Sequence, residues 1–128
     1  MEYHISKTVT GNFGEIISKV KDELKKEGFG VLTEIDIKTT LKNKLDVDFR
    51  KYTILGACNP GYAHSALLAE DKVGTMLPCN VIVQEIGEGK VEVAAVNPKA
   101  SMMAIKNTQL EQLASDVTKK LKNVVAGI

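Results

Sequence analysis

The sequence predicts an α+β fold in the order strand, helix, four further strands, helix, with small helical insertions between the strands. Three observations carry this. Two amphipathic stripes at helical spacing lie towards the two ends of the chain, near 12–27 and 108–125. Five stretches with strand-like patterning lie outside them, and four of those follow one another. Helices and strands are thus segregated rather than alternating, which favours a mainly antiparallel sheet with both long helices on one face over a doubly wound sheet. A chain of 128 residues suits one domain spanning 1–128.

Each element has its own signal. Tyr3 to Val9 alternates Tyr3, Ile5, Lys7 and Val9 against His4, Ser6 and Thr8, the period of a strand. Asn12 stands three residues before Glu15, as in a capping box, and Phe13, Ile16, Ile17, Val20 and Leu24 form one helical stripe. Lys25 and Lys26 suit the negative end of that helix, and Gly28 supplies its stop. Phe29 to Ile37 reads as a strand. Lys38 to Leu45 reads as a short helix through Leu41 and Leu45. Lys51 to Cys58 is a strand with apolar residues on both faces, which places it inside the sheet. Asn59-Pro60 then opens a helix with favoured residues at N-cap and N1, and Ala63, Ala66 and Leu67 give it a small-residue packing face. Cys79 to Ile86 and Lys90 to Val96 form a hairpin across Gly87-Glu88-Gly89. Thr108, three residues before Glu111, marks the cap of the last helix, whose stripe is Leu110, Leu113, Ala114, Val117, Leu121 and Val124.

Composition excludes several function classes. Seventeen Lys and Arg against sixteen Asp and Glu give a net charge of +1, and aromatic residues make up 5% with no tryptophan. Little is left for phosphate contact, base stacking or wedge insertion, so no nucleic-acid partner is expected. The lysines at 119, 120 and 122 suit the dipole of the last helix. No apolar run approaches the roughly 20 residues of a membrane span, and Met1-Glu2-Tyr3-His4 has no secretory-signal character. Two cysteines are too few for a disulfide scaffold, so free thiols in a reducing cytoplasm are expected.

Three stretches carry a family resemblance: Gly28-Phe-Gly-Val-Leu-Thr-Glu-Ile-Asp36, Tyr52-Thr-Ile-Leu-Gly-Ala-Cys-Asn-Pro60 and Leu77-Pro-Cys-Asn-Val81. With Thr40-Leu-Lys-Asn-Lys-Leu45 they cover much of residues 28–85. In order and spacing the chain resembles the bacterial and archaeal domain-of-unknown-function family 302. The resemblance implies a TATA-binding-protein-like topology with a curved sheet, in keeping with the order read from the residues. It implies no activity, and it assigns no catalytic residue and no cofactor.

In the antiparallel order that the resemblance implies, Cys58 and Cys79 lie at the same end of the sheet, each followed by an asparagine. Cys58, Asn59, Cys79 and Asn80 therefore form the leading ligand-binding cluster. Cys58 also adjoins a helix N-terminus, which can favour a thiolate. The plainer reading is that free cysteines are commonly buried and simply pack, and that Asn59 is a helix cap. His64, one helical turn beyond Pro60, is a further candidate, against the reading that it is merely exposed. Glu34, two residues from Asp36 on one strand face, is another, against the reading of a solvated strand surface. No Cys-x-x-Cys or paired-histidine spacing is present, so no metal site is assigned. The glycine pairs 28/30 and 87/89 precede strands rather than helices and are not phosphate loops. Ser65 and Ser101 lack a nucleophile context. Two function classes remain. One is a domain that binds a small molecule, an anion or a protein near the paired Cys-Asn motifs. The other is a thiol-dependent redox or metal-binding protein using Cys58 and Cys79. A homodimer is expected, because the strands carry apolar residues on both faces.

Overall fold

Helix α1 (Phe13–Lys26) shows how closely local sequence sets the element boundaries. Asn12 accepts a hydrogen bond from the Glu15 backbone N–H at 3.0 Å. At the other end Gly28, at φ +86°, takes the left-handed conformation that a side chain would disfavour. The N–H groups of Gly28 and Phe29 return to the carbonyls of Lys25 and Leu24, a Schellman closure with Phe29 and Leu24 both buried in the core. The computed structural model describes residues 1–128. The remaining elements are β1 (His4–Thr10), β2 (Gly30–Asp36), α2 (Ile37–Leu45), β3 (Tyr52–Cys58), α3 (Pro60–Ala69), a 3₁₀ segment at Asp71–Met76, β4 (Cys79–Gly87), β5 (Lys90–Val96), α4 (Pro98–Ser101) and α5 (Thr108–Ala126). No helix is long and apolar enough to cross a membrane.

The five strands form one sheet in the order β1-β5-β4-β3-β2, with every neighbouring pair antiparallel. Alternation sends Leu55, Val81, Val83, Val91, Val93 and Ala95 to one face, where each is fully buried. Val20 and Leu24 of α1 and Val117, Leu121 and Val124 of α5 close that core from above. The opposite face has no helix over the sheet centre. A row of residues crosses it from Ser6 through Ala94, Ile82 and Ile54 to Ile35. The next row is polar: Gln84 donates to Glu92 at 2.8 Å and accepts from Arg50 Nε at 2.8 Å.

Most strand and helix ends lie within a residue of the sequence reading, and two of the shifts have a side-chain cause. Asn107, not Thr108, caps α5: it accepts from the Leu110 N–H at 3.2 Å, and its amide donates to the Ala69 carbonyl at 2.9 Å. The tertiary bond decides between the two adjacent polar residues. Strand β2 ends at Asp36 rather than Ile37, because Asp36 turns the chain into α2 by accepting from the Thr39 N–H at 3.0 Å.

Candidate functional site

The core is divided. Beside the main cluster lies a smaller one of Ala66, Val73 and Leu110, with Leu77, Met102, Ile105 and Leu113 against it. Between the two runs a cavity of about 310 Å³. Its walls explain the gap: Ala57 of β3, Ala63 and Ala66 of α3 and Ala114 of α5 all face it, and none fills the space a leucine would. Polar contacts fix the surrounding segments. Asn107 ties α5 to the end of α3 through Ala69. Asn97 caps α4, receives the buried Thr118 hydroxyl at 3.1 Å, and donates to the Glu2 carbonyl at 3.0 Å. At the mouth lie Leu32, 67% exposed, and Leu67, 43% exposed. Leu32 occupies the register shift between Val31 and Thr33, the bulge that turns it out of the ladder.

The lining contains no charged side chain. Its residues with polar side-chain atoms are Asn59, Tyr62 and the two cysteines. Ala57 pairs with Cys79 across β3 and β4, and Cys58 is the next residue, where β3 gives way to α3. Both cysteines therefore line the same cavity, and both are free. Cys79 is buried, and loss of solvent pushes its thiol up to about 11, with a Cys58 thiolate adding in the same direction. Asn59 occupies the N-cap position of α3 but makes no capping bond with its side chain; its amide donates instead to the Glu27 carbonyl at 3.2 Å. It straps the end of α1 to the corner between β3 and α3. Gly56, just before the thiols, is packed beneath Thr33 Oγ1 and the Pro78 ring, leaving no room for a Cβ.

Of the residues singled out in the sequence, the structure brings Cys58, Asn59 and Cys79 to this cavity and leaves Asn80, His64 and Glu34 outside its lining. Asn80 is exposed on the opposite sheet face, across from Gly56. His64 is exposed on α3. Glu34 forms an ion pair with Lys21 at 2.6 Å, and Asp36 is occupied as the cap of α2. No three His, Cys, Asp or Glu side chains come together as a metal cluster. Sequence reasoning passed over Tyr62, Met102, Leu113 and Ala114 as site residues. Their one legible signal was the alanine content of the two facing helices.

Comparison with known proteins agrees with this architecture. The family described as domain of unknown function DUF302 matches residues 5–128. A solved structure of an uncharacterized conserved DUF302 protein from Bacillus stearothermophilus superposes with a TM-score of 0.91 at 28% identity, covering 99% of this chain and 98% of the other. No curated protein matches. With nearly its whole length matched by the family, and the fold shared from end to end, the chain belongs to DUF302.

Proposed function

We propose that this domain binds a small molecule with a predominantly apolar body in the cavity at the Cys-Asn end of the sheet. The observation that carries this reading is the uncharged lining around about 310 Å³. That space corresponds to about ten water molecules at bulk density. Water there would find few hydrogen-bond partners, whereas an apolar ligand gains by releasing it. An anion lying wholly inside would meet no cation. The thiol-dependent alternative is weakened by Cys79, whose raised pKa keeps it protonated near neutrality. The reading is tested by titrating the protein with N-phenyl-1-naphthylamine, a neutral fluorophore that brightens in apolar surroundings. Saturable binding is expected, reduced at least tenfold by Ala66→Leu or Ala114→Leu with the fold retained. No binding by the wild-type protein would sink the reading.

Self-association is proposed from the uncovered sheet face. Its apolar row ends in Ile35, which is 44% exposed, and Ile86, farther along β4 beyond Gln84, is 48% exposed. A net charge of +1 gives two copies little reason to repel each other. The free thiols suit a reducing cytoplasm, which we propose as the compartment.

A further inference from the structure

Polar groups are unevenly distributed around the cavity. Towards one end lie Ala66, Leu67, Leu77, Met102 and Leu110, hydrocarbon and thioether throughout. Towards the other, at the corner between β3 and α3, lie Cys58, Asn59 and Tyr62. Helices α3 and α5 run past each other in opposite directions. Ala66 meets Leu110, whereas Tyr62, earlier on α3, meets Lys120, later on α5. The Lys120 ammonium stands 5.8 Å from the centre of the Tyr62 ring.

Lys120 is half-buried, and it takes part in none of the ion pairs of the molecule. The Tyr62 hydroxyl has no protein partner, and Asn59 spends its amide on Glu27 while its Oδ1 stays free. Lys120 stands outside the uncharged lining, beside the ring of Tyr62, so a ligand head emerging at that end would meet a cation with no carboxylate partner. The other end offers only apolar surface.

Resting on the apolar-ligand reading above, we propose that the ligand is a singly charged amphiphile of the medium-chain carboxylate class. Its hydrocarbon body lies among Ala63, Ala66, Leu110 and Met102, and its carboxylate is received by Lys120 Nζ and the Tyr62 hydroxyl. Size sets the chain length. A methylene takes up nearly the ~30 Å³ share of a water molecule, so about ten carbons occupy the 310 Å³ available.

The test compares decanoate with decanol, which share a body and differ in the head, by calorimetry on the full chain at neutral pH and low salt. Decanoate is expected to bind about fivefold more tightly, as a half-exposed ion pair allows. That advantage should shrink with added salt. It should disappear in Lys120→Met, which keeps the stem over Tyr62, and persist in Lys120→Arg. From octanoate to decanoate, affinity should rise about fourfold per methylene. Equal affinity for acid and alcohol, or an equal loss of both in Lys120→Met, overturns the carboxylate assignment alone. Failure of the acid, the alcohol and the neutral fluorophore together overturns the cavity reading beneath it.

Discussion

Raising the pH should reveal the cost of burying Cys79. The residue is 9% exposed, and its thiol is pushed from 9.0 up to about 11 by desolvation first and by Cys58 second. Near neutral pH such a thiol holds about a hundredfold less thiolate than a free one. Because the folded protein holds this proton more tightly than the unfolded chain, the associated stability is fully present below pH 9.0 and is lost as the pH rises towards about 11. The difference amounts to about 3 kcal/mol. A Cys58→Ser variant leaves Cys79 as the sole thiol and removes only the lesser cause of the shift. Its thiolate absorbance, with the Cys58→Ser/Cys79→Ser spectrum subtracted to remove tyrosine, should rise with a midpoint well above 9.0. Alkylation of the folded variant at about pH 8 should be slower than that of a free thiol by about a hundredfold or more. A midpoint at or below 9.0 in the folded protein would refute the desolvation argument, and with it the packing of Cys79 into the core.

Three further outcomes are expected. Gly56→Ala should lower stability in urea by about 2 kcal/mol, as overpacking does; the new Cβ meets Thr33 Oγ1 and lies 2.8 Å from Pro78 Cγ, so adding Thr33→Ala should recover part of the loss, and an unchanged midpoint contradicts the contact. Asp36→Ala should cost about 1 kcal/mol by uncapping α2. The Thr39 N–H and hydroxyl hold the Asp36 carboxyl below its ordinary 3.8, so its contribution is present above that value and lost as the pH falls through the lowered one; Asp36→Asn should flatten the acid limb of the stability curve, and an unaltered limb counts against the bond. Light scattering should show a dimer at high micromolar concentration, and a clean 13.9 kDa particle there would rule out self-association through the sheet face.

The core was legible because it is periodic. Val20 and Leu24, and Val117, Leu121 and Val124, are placed by helical spacing alone, and each is buried. The strands declared themselves by alternation and by the glycines of the 87–89 turn. The site was legible only at the level of the dipeptides, because the direction each asparagine takes depends on how the chain continues past its cysteine. After Cys79 the strand continues, so Asn80 turns to the opposite face. After Cys58 the chain turns into a helix, so Asn59 stays beside the cavity and reaches back to Glu27. His64 shares α3 with Tyr62, Ala63 and Ala66 but falls on its outer side, as one residue of offset on a helix dictates. Asn59 looked like a cap, since its position is the capping one; only the approach of α1 gives its amide a better partner.

The cavity itself is a choice that stability alone would not make. Leucine at 63, 66 or 114 would join the two clusters into one core, and filling a void at a compatible site commonly stabilises a domain by about 0.5–2 kcal/mol. The alanines keep the clusters apart at the end of the sheet where both cysteines, the Asn59 strap and Tyr62 gather. Stability rests mainly on the larger cluster beneath α1 and α5, so the smaller cluster can be altered with the sheet intact. Ala66→Leu is therefore expected to hold or raise the unfolding free energy while abolishing ligand uptake. General destabilisation cannot produce that pair of opposite signs, whereas a space reserved for a ligand requires it.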